Sequence, residues 1–291
     1  MELLGGIEAG GTKFVCGIGT KDGEVIDRTS FPTTNPEETL RQVFDYFQDK
    51  SITALGVGSF GPVDLQQDSA TYGYVTSTPK PGWGNYPLLT ALKEQIKVPM
   101  GFDTDVNGAA LGEATWGAAK GLKNCMYITV GTGIGAGVLV NGELVHGLTH
   151  PEAGHILVRR HPEDTYAGRC PYHHDCLEGM AAGPGIEERW GVKGYELPSD
   201  HIAWEMEAHY LAQALVNYVL TVSPERIILG GGVMKQPQLF PLIRQKLVEL
   251  LNGYVPHQAI LQGIDQYVVP PALGDNAGLC GTLALASRAL R

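Results

Sequence analysis

One short pattern occurs twice in this chain, and the duplication limits the folds open to it. In the first half, Leu3–Ala9 reads as a buried strand and Gly10-Gly11-Thr12-Lys13 turns it. Phe14–Ile18 then runs back, Asp22-Gly23 signals a hairpin and Glu24–Phe31 follows as a third strand. Asn35 is placed to cap a helix that Pro36 opens and that runs to about Gln48, and Thr53–Gly58 is a short parallel-type strand. In the second half Cys125–Val130 is a strand, Gly131-Thr132-Gly133 the turn and Ile134–Val140 the return. Asn141-Gly142 turns again into Glu143–Val145; much later come a long helix, Ala203–Val222, and a strand, Arg226–Leu229, that ends at Gly230-Gly231-Gly232. Two copies imply two α/β lobes with a cleft between them and a glycine-rich hairpin on each wall. Two unrelated hairpins would give the same strings, so the fold has to decide.

The composition suits such a frame. A chain of 291 residues, 43% hydrophobic and 18% charged, fits a soluble globular protein of roughly two domains. Its 39 glycines cluster in short motifs, which points to tight turns and close backbone approach. A net charge of −10 without a basic stripe argues against nucleic acid; Arg159-Arg160-His161 is the one small basic run. The N-terminus has neither a basic leader nor a long apolar stretch, and no run long enough to span a bilayer follows. The expectation is a cytoplasmic protein with no membrane partner.

The glycine motifs carry different weights. Gly56-Val57-Gly58-Ser59-Phe60-Gly61 fits the dinucleotide pattern and follows a strand, but Pro62 and a polar stretch replace the required helix. No acid ends a second strand about twenty positions on, and the Walker pattern is absent. Glycine-rich hairpin turns are another kind of phosphate cradle, because they expose consecutive N–H groups to an anion. Gly10-Gly11-Thr12-Lys13 and Gly131-Thr132-Gly133 each add a hydroxyl, and the first adds an ammonium. Mere tight turns are the plainer reading; the duplicated context favours a nucleoside triphosphate.

Residues 152–178 suggest a metal. His155, Cys170, His173 and Cys176 offer two imidazoles and two thiolates, a tetrahedral zinc set that leaves no position open to substrate. Zinc here would be structural, shaping a loop that presents Glu152 and Glu178. A Cys170–Cys176 disulfide or a loop with no ion are the alternatives, and the absence of H-E-x-x-H argues against a zinc protease. Asp105 follows the strand Val98–Phe102 and opens the helical stretch Val106–Gly117. That is where ligands bind in α/β sheets, and it is equally where an Asp caps a helix.

Taken together, these residues resemble the ROK family of sugar kinases, most closely its bacterial fructokinases. The resemblance runs over nearly the whole chain through GIEAGGTK (6–13), TDVN (104–107), TVGTGIGAG (129–137), PEAGH (151–155), CPYHHDCLE (170–178) and LGGGV (229–233). It implies a two-lobed ribonuclease H-like, actin/hexokinase-type duplicated α/β fold with a cleft between lobes. Residues 1–118 would form the N-terminal lobe, with a C-terminal helix at about 273–291 packing back on it, and residues 119–272 the other lobe, with its zinc loop at 155–178. The implied reaction is ATP- and Mg²⁺-dependent phosphorylation of a hexose, most closely fructose to fructose 6-phosphate, by a protein that forms homodimers.

The same resemblance makes Asp105 the general base and places Thr104, Glu152, His155 and Glu178 along the sugar. It gives His155, Cys170, His173 and Cys176 to structural Zn²⁺. It sets Gly10, Gly11, Thr12, Lys13, Thr132, Gly133, Pro184, Gly231 and Gly232 around ATP. The zinc loop of this chain is C-x2-H-x2-C-x-E rather than the common three-cysteine form, a variant that resembles the fructokinase branch. Glu8 stands where the family usually carries Asp. Glucose, mannose and N-acetylmannosamine are the alternative substrates within the family, with Thr104 and the Tyr72–Trp83 loop as places that could set the choice. A sugar-responsive repressor would need a helix-turn-helix ahead of the first hairpin, and a non-catalytic sugar-binding protein would not need Asp105 or the hairpins.

Overall fold

The computed structural model describes residues 2–291. The first sheet comprises β1 (Leu4–Ala9), β2 (Lys13–Gly19), β3 (Val25–Pro32), β4 (Ala54–Ser59) and β5 (Met100–Thr104), in the order β3-β2-β1-β4-β5. The second comprises β6 (Cys125–Val130), β7 (Ile134–Val140), β8 (Glu143–Leu144), β9 (Arg226–Gly230) and β10 (Val268–Val269), in the order β10-β9-β6-β7-β8. Read from the opposite edge, the second order is the first, strand for counterpart. In each sheet two antiparallel pairings, β1–β2 and β2–β3 or β6–β7 and β7–β8, are followed by two parallel ones. A shared order and shared sense decide for a true duplication.

The helices in chain order are α1 (Pro36–Phe47), α2 (Leu88–Gln95), α3 (Asp105–Thr115), α4 (Leu177–Ala181), α5 (Gly183–Trp190), α6 (Ile202–Thr221), α7 (Leu239–Leu251), α8 (Gln258–Leu261), α9 (Ile264–Tyr267) and α10 (Ala277–Arg288). Asn35 caps α1 as its sequence predicts, accepting the Glu38 N–H at 3.0 Å. Leu40, Val43 and Phe47 on one face of α1 close the first core with Phe14, Trp83 and Leu92. The second core packs α6 and α7 against the second sheet around Trp204, Tyr210, Leu215 and Ile243.

The two lobes are joined by an exchange. α3 follows the first sheet but lies on β6 and β7 of the second, while α10 follows the second sheet and lies on β1, β4 and β5 of the first. The two helices also pack on each other, and glycine lets them. A Cβ on Gly112 would stand 2.7 Å from the Gly281 nitrogen, and one on Gly281 would overlap the Gly108 carbonyl. The buried Glu113 carboxylate fastens the same joint, accepting N–H groups from Ala118, Ala272 and Leu273.

The dinucleotide look-alike has a packing explanation. A Cβ on Gly56 would overlap the Thr282 carbonyl of α10, and one on Gly58 would meet the Asp105 Cα at 3.3 Å. These glycines serve helix–sheet contact, not a pyrophosphate.

Several boundaries differ from the sequence reading, each for a visible reason. β5 starts at Met100, two residues late, because Pro99 has no N–H to give the ladder and contributes only its carbonyl, which accepts from Leu55. At its other end its pairing with β4 continues to Ser59 opposite Thr104, so it ends later than read. β8 is cut to two residues because the chain turns away after Leu144 and runs toward the first lobe. Helix α3 begins at Asp105, one residue earlier than read.

Candidate active site

The end of β5 sets the centre of the cleft. Thr104, not Asp105, is the N-cap of α3: its hydroxyl accepts the Asn107 N–H at 3.1 Å. Capping is thus satisfied without Asp105, whose Oδ1 accepts only the neighbouring Val106 N–H at 2.9 Å. Asp105 keeps part of its surface open to the cleft. Burial pushes its carboxyl up to about 7, with like charge on Glu8 and, less, on Glu152 acting in the same direction. Burial also raises Glu8, against the pull of Lys13 and Arg28, and raises Glu152, against the pull of His155. Three carboxyl groups from β1, α3 and the 145–155 segment therefore converge on one spot.

The flap beyond Glu152 is built around the four candidate metal ligands. His155 Nδ1 lies 3.6 Å from Cys170 Sγ and 3.5 Å from Cys176 Sγ, and His173 Nδ1 lies 3.7 Å from Cys170 Sγ. All four donor atoms fall within 4.8 Å of one another. A tetrahedron with Zn–S bonds of ~2.3 Å and Zn–N bonds of ~2.0 Å has S···N edges of roughly 3.5 Å, so the donor set fits zinc in chemistry and size. Backbone hydrogen bonds hold the set together. Cys170 and His174 exchange two hydrogen bonds, and Leu177 N–H donates to the Ile156 carbonyl, joining the His155 and Cys176 segments. All five cysteines are free thiols.

His155 has two working sides. Its Nδ1 faces the thiols, and its Nε2 lies 3.8 Å from Glu178 Oε1. The other Glu178 oxygen accepts the Ile134 N–H at 2.9 Å, at the end of the second glycine hairpin. A single carboxylate thus joins flap to hairpin. Arg189, buried in α5, steadies this helix pair by donating to the Met180 carbonyl of α4 and pairing with Asp164, which also accepts from Tyr210.

The two hairpins line different parts of the cleft. Gly10-Gly11-Thr12-Lys13 turns β1 into β2; Thr33 holds the carbonyls of Gly10 and Thr12, and Gly11 stands in open space. The turn Gly131-Thr132-Gly133 borders a cavity of about 390 Å³ whose lining includes Thr132, Pro184, Glu187, Lys193, Trp204 and Gly232. Thr132, Pro184 and Gly232, singled out in the sequence, meet here. Gly133 and Gly231 adjoin without lining it; a side chain at Gly133 would press on Glu178, and Gly231 sits at φ +90° against Val130. The Gly10–Lys13 turn is not part of this lining. A larger groove of about 640 Å³ runs between α1 and α2 on the outside of the first lobe and touches none of these residues.

The sequence reading missed Asp103, Asn107 and His146. Asp103 borders the TDVN (104–107) motif and Asn107 lies within it, but their bond to each other has no signal in the sequence. His146 carried no local signal, since its partner lies in the other lobe.

Twin sheets of one topology, facing across a cleft with a glycine turn on each wall, define the actin/hexokinase-type fold. The ROK family profile matches residues 4–289, and the chain belongs to the ROK family. A relative from Bacillus subtilis (strain 168) is 55% identical over 289 residues, covering 99% of this chain and 97% of that protein. The fructokinase of Pediococcus pentosaceus is 48% identical, with 99% of each chain covered. Among solved structures, the ROK hexokinase of Thermus thermophilus matches with a TM-score of 0.79 at 25% identity, with 99% of each chain covered.

Proposed function

We propose that this protein transfers the γ-phosphoryl group of ATP to fructose, giving fructose 6-phosphate, with Asp105 as general base. The observation that carries the reading is Asp105 itself: an uncapping acid at the first turn of α3, open to the cleft, with its carboxyl pushed up to about 7. A base with a pKa near the working pH takes a hydroxyl proton most effectively. The 48% identity to a fructokinase over the whole length supports fructose among hexoses.

In this reading Asp105 accepts the proton of the attacking hydroxyl. Glu152 and Glu178 accept hydrogen bonds from other sugar hydroxyls, and Thr104, whose hydroxyl oxygen already caps α3, has its O–H left to donate. His155 Nε2 lies on the same side as Glu178. Gly10, Gly11, Thr12 and Lys13 face the phosphates from the first lobe, while Thr132, Gly133, Pro184, Gly231 and Gly232 hold the nucleotide from the second. Alignment and charge stabilisation supply most of the rate in phosphoryl transfer. Magnesium bound with the nucleotide would supply positive charge that offsets the phosphates. His155, Cys170, His173 and Cys176 would hold zinc, which fixes the flap and with it Glu152 and Glu178.

The lobes are assigned as residues 1–118 with the C-terminal helix, and residues 119–272. The resemblance also points to a homodimer, which solution scattering would establish. No helix of the described residues is long and apolar enough to cross a membrane; the cytoplasmic site of action rests on the family resemblance. A coupled ADP-release assay across fructose, glucose, mannose and N-acetylmannosamine, with and without magnesium, tests the reading. A larger kcat/KM for any hexose other than fructose would overturn the substrate assignment, and no sugar-dependent ADP release would overturn the reaction.

A further inference from the structure

Between β8 and Glu152 the chain forms a strap that leaves the second lobe, reaches the first and returns. Apolar burial does not hold its tip, where Leu148 is 94% exposed. Polar bonds do. Gln66 of the first lobe donates to the Gly147 carbonyl at 2.7 Å and to the Leu148 carbonyl at 3.3 Å. His146 Nε2 lies 2.8 Å from Asp103 Oδ2. Asp103 is 3% exposed, and its other oxygen accepts the Thr104 N–H at 2.8 Å and the Asn107 side-chain N–H at 2.7 Å. One buried carboxylate thus grips the turn that carries Asp105 with one oxygen and the opposite lobe with the other.

We propose that Asp103 and His146 form a cross-lobe latch that positions the strap, and with it Glu152, over Asp105 for hexose binding; this rests on the kinase reading above. Neither residue touches the reacting atoms, so both are positioning residues. The latch is charge-assisted when the imidazole is protonated. The bond to Asp103 raises His146 above its ordinary value, and partial burial opposes this less strongly. The other titratable groups facing the pair are His150 on the strap, lowered chiefly by burial, and Tyr72 from the first lobe, raised by burial and by Asp103. The sign follows. The charged latch is complete at pH below the raised His146 pKa and weakens as pH rises through it. Hexose affinity should fall over the same interval.

The test is steady-state kinetics with fructose on the full chain between about pH 5.5 and 8.5, spanning the range in which a histidine titrates. Fructose titration by calorimetry without nucleotide runs alongside. Wild-type KM for fructose should rise with pH. His146→Ala should raise KM ~10-fold, the scale of a lost hydrogen bond to a charged group, remove that pH slope and leave kcat within about a factor of two. His146→Gln, which keeps a neutral donor, should give an intermediate KM without the slope. Asp103→Asn should also flatten the slope. A His146→Ala protein with wild-type fructose affinity and wild-type pH slope would overturn the latch, as would a loss confined to thermal stability. Failure of the wild type to turn over any hexose would sink the kinase reading instead; calorimetry still reads the latch in that case, and absence of fructose binding by the wild type would sink both.

Discussion

β5 and β10 occupy equivalent places in the two sheets, and each leads into a helix that crosses to the other lobe. Their ends differ. β5 is five residues long and delivers Asp105 to the first position of α3; β10 is two residues long, and α10 opens on Ala277. The third strands differ too, since β3 has eight residues and β8 only two. Shortening β8 frees the chain to build the strap and the Cys/His flap. The duplicated frame is common to both lobes. In the proposed reading, base chemistry is built on one crossover, and sugar recognition grows where a strand of the other copy was cut short.

This asymmetry can be broken most sharply at Asp105. Asp105→Asn should lower kcat by ~10²–10⁴-fold while fructose binding by calorimetry stays close to wild type. A turnover near wild type in a normally folded variant would remove the base from this crossover. The flap is tested next by Glu178→Gln, which weakens the carboxylate beside the outward nitrogen of His155. Partners of this kind typically change metal affinity by ~10–100-fold, readable as faster zinc loss to a competing chelator. Unaltered zinc retention would separate flap from hairpin. The shared part of the frame is tested by Gly281→Ala in the α3–α10 crossing. Overlap with the Gly108 carbonyl should destabilise the fold by ~1–3 kcal/mol in urea unfolding. Stability equal to wild type would mean the helices are not in contact there.

The smallest expected effect is on pH dependence. A base whose pKa is about 7 in the free protein is protonated below it, so kcat/KM should fall as pH drops through that value, by about tenfold per unit well below it. The sign on stability is opposite. Folding raises the Asp105 pKa from 3.8, so this group penalises the folded state fully above about 7, and the penalty is relieved as pH falls toward 3.8. An activity profile flat between about pH 5 and 8 would contradict the assignment.

Much of this was legible from residues alone. The Gly-rich turns, the paired DG and NG signals and the Asn35-Pro36 helix start each act within a few residues, and the observed strands fall where they indicate. The C-x2-H-x2-C spacing likewise kept its ligands together, because a loop that short leaves them few other arrangements. The roles of Thr104 and Asp105 were less legible. Either can cap a helix, and only the position at which β5 stops, with Thr104 opposite Ser59 of β4, hands the cap to Thr104. Asp103 and His146 were invisible as a pair because 43 residues separate them. The fit of Gly56 to a dinucleotide pattern was a coincidence of shape: a glycine needed for close helix contact looks the same in sequence as one needed for a phosphate.

The sequence by itself determined the local grammar of this protein: which segments turn, which alternate, and which donors can share an ion, since all of these depend on neighbours along the chain. Only the tertiary structure decided that α3 and α10 exchange lobes and that Glu8 and Glu152 add to burial in raising the Asp105 pKa. It also decided that a histidine from one lobe bonds the carboxylate beside Asp105 in the other. Those outcomes depend on distance through space and on the exclusion of water, and neither is written in the order of residues.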